Sequence, residues 1–531
     1  MNQKKLQIWL PLLLAGAVVL GMFFGYKLKD NMGAYGPSFF GKQKRTGLEE
    51  ILELVKAHYV DTVNTDSLSN TAIQNVISQL DPHSIYIPAD HVQAVNDDMK
   101  GSFEGVGIEF GLIGDTVTVL QLFPKGPAEA AGIQIADKII SANDSMVSGK
   151  KVEYERIRKF FRGPKGTSVK VKLLRDGQPK EIIIQRGVIP VKSVDVAYMM
   201  EPGIGFIRLS KFASNTYEEF MQSLEDLKKQ GMKKLILDLR DNGGGMLDDA
   251  IQIADEFLDD SKDIVYTEGK STPKQIYTAR RPGLFEEGKL VLLINEGSAS
   301  ASEVLTGALQ DWDRAVIVGR RSFGKGLVQE QYQLSDGSAL RLTISRYFTP
   351  IGRSIQKPYI RGEYGDYKEE INNRFNNGAL FHNDSSNHKG KAYKTKGGRI
   401  VYGGGGISPD VFVPADSMEF QFLKKHELLG GLIEDASFTY YMSGKSKLNG
   451  FKTPQELKQH LTNDGGLWNI FQSKLAKNNL TVENFSPAQK QLISDYLNCM
   501  LGRFLWGNDG YFKMCNFSDK MVMKGLEEVK K

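Results

Sequence analysis

The spacing of apolar residues shifts along the chain, and each shift marks a different kind of element. The run IWLPLLLAGAVVLGMFFGY, Ile8 to Tyr26, holds no charge over 19 residues, about one bilayer thickness as a helix. Residues 27–45 are a polar, glycine-bearing linker. In LEEILELVKAHYV the apolar positions 48, 51, 52, 54 and 55 predict a helix, and a second is expected over 68–80. LDPHSIYIPADHV then marks a turn and a further helix start, so 46–100 reads as a small helical region.

From Gly101 the period falls to two. FEGVGIEFG, DTVTVLQLF and TSVKVKLLRDG alternate between glycine- and aspartate-rich turns, with Val169, Val171 and Leu173 on one face. One helix, at 152–161, is expected to interrupt these strands. Over 200–360 strands mix with helices. KKLILDLR (233–240) and KLVLLIN (289–295) are continuous apolar runs, as in buried strands of an α/β layer. ASEVLTGALQ places Ala301, Val304, Leu305, Ala308 and Leu309 on one helical face, and AVIVG (315–319) returns as a strand. Residues 365–398 are polar and read as a surface insertion or disorder. GGGGISPD is a turn, and 416–531 looks helical. Thr453-Pro454-Gln455-Glu456 and Ser486-Pro487-Ala488-Gln489 are capping boxes with proline at the first helical position.

Composition adds little to this pattern. The chain has 531 residues, 41% hydrophobic and 25% charged, enough for several domains. Its net charge of +5 is spread along the chain, which argues against a nucleic-acid partner. Ala15-Gly16-Ala17 resembles a cleavage site, but the apolar run continues nine residues beyond it. An uncleaved signal anchor over 1–30 is therefore expected rather than a cleaved peptide. Gly21-x-x-x-Gly25 is a spacing that packs two helices, one route to a homo-oligomer. The two cysteines, Cys499 and Cys515, make neither a disulfide framework nor a zinc site; pairing and free thiols are both open.

Residues 319–326, GRRSFGKG, have the phosphate-loop spacing, but Gly326 stands where Ser or Thr should hold Mg²⁺. A phosphate loop must also open a helix. Here LVQEQYQL and ALRLTI alternate on either side of Ser335-Asp336-Gly337, which reads as a hairpin. Nucleotide binding is rejected on both counts. Thirty residues upstream, strand KLVLLIN runs through EGSASASE into a helix. A serine at such a turn has backbone N–H groups and a positive helix end beside it. Ser298, Ser300 and Ser302 are N-cap residues or a nucleophile; the local pattern leaves both open. None of the seven histidines lies in 200–360, so a Ser–His–Asp triad would have to borrow one from the helical region or the polar insertion, and a lysine can substitute if burial lowers its pKa. Lys325, between Gly324 and Gly326, follows the strand that returns from the serine's own helix.

The run NEGSASASEVLTGALQDWDRAVIVGRRSFGKGLVQ resembles the core of the carboxy-terminal processing (tail-specific) proteases, serine peptidases with a serine–lysine dyad. LDPHSIYIP with FEGVGIEF, GPAEAAGIQIADKIISAN and FFRGPKGTSVKVKLLRDG resemble the family's PDZ domain. DLRDNGGGMLDDA, YFTPIGRSIQKPY and GISPDV resemble other parts of its core. The resemblance covers roughly 46–415. With the apolar run at the start of the chain, it gives an expected α/β multidomain protein: a transmembrane helix (1–30), linker (31–45), helical N-terminal region (46–100), β-sandwich-like PDZ domain (101–190) and protease core of the ClpP/crotonase-like type (191–415). Residues 416–531, which it does not reach, form the helical C-terminal region.

By the same resemblance Ser300 is the nucleophile, Lys325 its base and Gln329 the residue that orients the lysine, with Asp311 supporting. The oxyanion donors would be the Ala301 N–H and that of Gly244 or Gly243, Gly244 being preferred. Gly105, Val106, Gly107 and Ile108 would bind a peptide carboxylate. The implied function is endopeptidase cleavage near unfolded, apolar C-terminal tails, with no metal or cofactor. The implied place is the bacterial inner membrane, catalytic domains on the periplasmic side. The alternative is a catalytically inactive, membrane-anchored PDZ scaffold.

Overall fold

The two continuous apolar runs lie side by side. In the computed structural model, which describes residues 9, 11, 14–23, 46–149, 153–382 and 390–531, Lys234–Asp238 and Lys289–Ile294 pair in parallel, Lys234 opposite Lys289. Ile204–Leu209 and Val316–Gly319 flank them, also parallel. Val194–Glu201 closes one edge antiparallel and Val411–Phe412 the other in parallel. Both faces of this six-stranded sheet are covered, which is why its central strands carry no polar alternation. One face receives helices Thr216–Lys229, Leu247–Asp255 and Ala301–Asp311 through Phe220, Leu224, Ile253, Val304 and Leu305. The other receives Lys520–Lys530, whose Val522, Leu526 and Val529 join Ile236, Val291, Leu293 and Val318 in one core. Burying each of those three side chains contributes about 1.5–3 kcal/mol before ordering costs.

The stripe on Ala301–Asp311 predicts a helix with one buried face, yet every residue of it is buried. Its other side meets the chain after the second sheet: a Cβ on Gly307 would come within 2.9 Å of Thr349. That second sheet is built on Ala339–Phe348, which pairs with Leu327–Gln333, Ile85–Ile87 and Asp263–Glu268. Gly326 thus leads into a strand, and Ser335-Asp336-Gly337 turns the hairpin, Asp336 Oδ1 accepting the Ser338 N–H at 2.9 Å.

Residues 101–190 hold a sheet running Ile108–Ile113, Thr116–Leu122, Lys138–Ala142, Ser168–Arg175, Gln178–Gln185, with Val117, Val169, Val171 and Leu173 inside. Two helices interrupt it rather than one: Tyr154–Phe161 and the short Pro127–Ala130, too brief to show a helical period. Beyond 416, besides Lys520–Lys530, the helices are Ser417–Lys425, Leu429–Leu448, Pro454–Asn463, Gly466–Lys477 and Pro487–Cys515. Thr453 and Ser486 cap theirs, accepting the N–H of Glu456 and Gln489 at 3.2 Å each. Pro487–Cys515 turns back at Trp506 and Gly507, where the backbone is not helical, and Cys499 and Cys515 pair across the turn.

Two sequence expectations are altered. The polar segment 365–398 is not simply an exposed insertion. Gly365–Asn376 is a helix that buries Tyr367 and Arg374, because its polar groups have partners inside the protein. Residues 383–389 lie outside the described residues. So does most of the expected anchor: residues 14–23 are helical, whereas 24–45 are not described. Among the described residues no helix is long and apolar enough to cross a membrane. Residues 1–73 form one unit and 74–531 another. Within the first, Gly47–His58 is a helix capped by Thr46, whose N–H meets Glu49 at 2.9 Å.

Candidate active site

Three consecutive parallel strands end together, and the loops after them carry the chemistry. The strands are Lys234–Asp238, Lys289–Ile294 and Val316–Gly319, with Asp238 opposite Leu293 and Ile294 opposite Gly319. The carboxyl ends of such strands are where α/β sheets place their ligands. The loops are bonded to each other: Ala299 N–H to Asn242 O at 3.0 Å, and Phe323 N–H to Ser298 O at 3.0 Å.

Ser300 stands at the sharp turn from strand to helix, with φ 56° and ψ −114°. That backbone region is strained for any residue but glycine, and persists only where the surroundings over-determine it. Its two neighbouring serines are structural. Ser298 Oγ donates to Leu239 O at 2.8 Å, and Ser302 Oγ to Asn242 O at 2.9 Å; both are fully buried. Ser300 alone of the three is partly exposed.

Lys325 is half-buried and makes no salt bridge among the described residues. Its ammonium nitrogen donates to Gln329 Oε1 at 3.0 Å. The orientation of that amide is forced. Gln329 Nε2 donates to the His83 carbonyl, which can only accept, so Oε1 must face the lysine. Burial, reinforced by Arg341, holds the Lys325 pKa below its ordinary value, against the opposing pull of Glu303 and Asp81. His83 lies in the same place. Burial, followed by the Lys325 charge, pushes its imidazole down to about 4, so the ring is neutral at working pH. No direct hydrogen bond joins Ser300 Oγ to Lys325 Nζ among the described residues.

What brings the two residues together is a side chain that the sequence reading passed over. Glu303 is 1% exposed. Its Oε2 accepts the N–H of Ser300 at 2.9 Å and of Lys325 at 2.8 Å. Its Oε1 accepts the Gly324 N–H at 2.7 Å and the Ser322 hydroxyl at 2.5 Å. Burial pushes this carboxyl up to about 7 even though all four donors pull it down. Tyr347 makes a second tie: its hydroxyl donates to Lys325 O and lies 3.1 Å from Ser300 O. The signal for Glu303 was its place three residues into the helix after Ser300, a capping position. Nothing local marked Tyr347 or His83.

The other expected residues divide. Gly244 packs against the serine turn: at φ 93°, a Cβ there would lie 2.8 Å from Ser300 Cβ and from Ala301 N. Its own N–H, however, donates to Asn242 Oδ1 at 2.9 Å. The Gly243 N–H has no hydrogen bond among the described residues, and Gly244 is needed for the close approach. Asp311 is not at the site. It lies about 15 Å along the helix from Ala301. There it pairs with Arg353 at 2.5 Å and accepts the Ile351 N–H at 3.2 Å, a buried structural pair. In the PDZ segment, Gly105 pairs with Gly187 and the Val106 N–H is taken by Phe161 O at 3.0 Å. Gly107 sits at φ 75°, and Ile108 begins the edge strand.

The chain is similar to several known proteins. The family model "Peptidase family S41" matches residues 203–364, and a PDZ domain model matches 105–185. A Staphylococcus epidermidis protein named "Probable CtpA-like serine protease" is 33% identical over 362 residues, 67% of this chain and 73% of its own. A "Carboxy-terminal-processing protease" of Bartonella bacilliformis is 38% identical over 314 residues, 58% of this chain and 71% of its own. Among solved structures, a photosystem II D1 C-terminal processing protease is 31% identical, covering 59% of this chain and 90% of its own, with a TM-score of 0.34.

Glu303→Gln should disturb the site without emptying it. One oxygen becomes an NH₂ group facing donors, so at least one buried N–H loses its acceptor, at a cost of about 1–3 kcal/mol. Thermal unfolding should shift down accordingly, and peptide cleavage should fall with it. Wild-type stability and rate together would show that the four donors do not need the carboxylate.

Proposed function

The chain belongs to peptidase family S41, the carboxy-terminal processing serine proteases, and we propose that it cleaves unfolded protein tails with Ser300 as nucleophile and Lys325 as base. One observation carries this reading: a strained, partly exposed serine at a strand–helix turn shares a buried carboxylate oxygen with a lysine whose ammonium forms no salt bridge among the described residues.

Neutral Lys325 accepts the Ser300 proton as Oγ attacks the peptide carbonyl carbon. The oxyanion is held by the Ala301 and Gly243 N–H groups, at the positive end of a buried helix. The C–N bond then breaks, the lysine returning its proton to the leaving amine. Water attacks the acyl-enzyme, Lys325 takes its proton, and Ser300 is released with a proton restored. Gln329 Oε1 occupies one N–H of the lysine, which leaves the lone pair free to turn toward Ser300. No step calls on a metal or cofactor.

The PDZ segment selects the substrate. Such domains take a free carboxylate on backbone N–H groups and add the peptide as a strand to a sheet edge. The edge strand Ile108–Ile113, preceded by Gly107, offers that arrangement. The apolar N-terminal run would anchor the enzyme in the bacterial inner membrane with its catalytic domains in the periplasm. The Cys499–Cys515 disulfide suits that oxidising side.

Ser300→Ala and Lys325→Arg should each abolish cleavage of an unfolded substrate while the fold is kept, arginine being unable to accept the proton. Wild-type activity should rise with pH as Lys325 loses its proton, at a pH below the ~10.4 of a free lysine. An active Lys325→Arg enzyme, or activity lost in Ser302→Ala and kept in Ser300→Ala, would refute the assignment. Amidating a substrate's C-terminus should weaken its processing, and equal rates for acid and amide would give the PDZ domain another purpose. Deleting residues 1–30 should release the protein from the membrane fraction; retention there would argue against the anchor.

A further inference from the structure

Lys325 sits in a loop, Arg320–Gly326, that is neither helix nor strand. Buried backbone groups of such a loop need partners elsewhere. Glu303 takes the N–H groups of Gly324 and Lys325. The carbonyls of Arg321, Ser322 and Phe323 are served by the helix Gly365–Asn376, which begins one residue beyond the segment that the family model matches.

Tyr367, Glu370 and Arg374 are spaced three and four apart, so they share one face of that helix. Arg374 is 3% exposed. Its Nη1 donates to the carbonyls of Arg321 and Ser322, both at 2.9 Å, and Nη2 reaches that of Phe323 at 3.5 Å. Glu370 offsets the charge, accepting from Arg374 Nε at 2.6 Å and from Arg321 at 3.1 Å. The Tyr367 hydroxyl is 2.6 Å from His83 Nε2. Lys357 completes the contact. Its ammonium lies 3.9 Å from the centre of the Phe323 ring and 4.1 Å from that of Tyr367, and its N–H donates to Gly324 O at 2.9 Å.

One helix thus reaches both handles on the lysine. Arg374 holds the main chain just before Gly324. Tyr367 holds His83, whose carbonyl holds the Gln329 amide, whose oxygen holds Lys325 Nζ. We propose that Tyr367 and Arg374 are positioning residues for Lys325, so that this helix sets the direction and hydration of the catalytic amine. The proposal rests on the reading of Lys325 as the base.

The experiment uses the full chain, a peptide with a free apolar C-terminus, and pH profiles of kcat and KM for wild type, Tyr367→Phe, Arg374→Lys and Lys325→Ala. Tyr367→Phe keeps the ring beside Lys357 and removes only the hydroxyl, so folding should be preserved. Its kcat should fall about five- to tenfold with KM within about twofold. The lysine is surrounded by Glu303 on the nucleophile helix, Arg341 on its neighbouring strand, and Asp81 and His83 on the loop before Ile85, with Lys357 beyond His83. Once less firmly held among them and better hydrated, it should move the rise of activity to higher pH by at least about half a unit. Arg374→Lys keeps the charge but cannot fork to several carbonyls, and should lose kcat in the same sense.

Wild-type kcat and profile in both variants, with Lys325→Ala inactive, would overturn the positioning role and leave the base intact. A lowered melting temperature with an unmoved profile would overturn it equally, reducing the cluster to a stabilising one. Activity in Lys325→Ala would instead remove the base reading itself.

Discussion

A single buried carboxylate sets the geometry on which the rest of this site depends. Removing Glu303 from water is costly, and it is tolerated because four donors converge on its two oxygens. Those donors belong to loops that follow two adjacent parallel strands. Satisfying the carboxylate therefore requires Ser300 and Lys325 to approach each other. It also helps hold Ser300 at φ 56°, where no local preference would keep it. A charge-assisted network of this kind has little slack. Losing one donor leaves a buried charge short of a partner, which is far more expensive than losing an exposed contact.

Around this centre the lysine forms no salt bridge among the described residues and is supplied with a neutral acceptor. Gln329 gives it an oxygen without a charge, and His83, pushed down to about 4, adds no positive charge at working pH. An aspartate in place of Gln329 would stabilise the ammonium and raise the pKa that burial lowers.

The C-terminal region connects the domains. Its hairpin, stapled by Cys499–Cys515, pairs Arg503 with Glu109 of the PDZ sheet at 2.8 Å. On the protease side Phe512 lies under Arg208, Asn516 donates to Tyr198 at 3.0 Å, and Asp519 pairs with Arg240 at 2.7 Å. Leu120, on a PDZ strand, is buried in the core of the C-terminal helices. The edge strand Ile108–Ile113 is thereby tied to the sheet whose ends carry Ser300 and Lys325.

Much of this was legible in short stretches of sequence, where local rules act. Continuous apolar runs read as doubly buried strands, alternation read as the hairpin after Gly326, and capping boxes marked helix starts. The choice of Ser300 and Lys325 rested on the resemblance of GSASASE and FGKG to a family, not on a local rule. Reading failed where a residue's partner is remote in sequence. Asp311 looked like a member of the site and pairs with Arg353 instead. Residues 365–376 looked like solvated polar chain, yet Arg374 and Tyr367 are buried against a loop some 50 residues earlier and a histidine nearly 300 residues away. Polarity in sequence does not say whether the partner is water or protein. By itself the sequence determined the elements, the strand–turn–helix bearing the serine, and the chemical types at hand. Only the tertiary structure decided which serine is strained, which glycine N–H is unspent and what holds the lysine. Those outcomes depend on hydrogen bonds that form only when distant segments are excluded from water together.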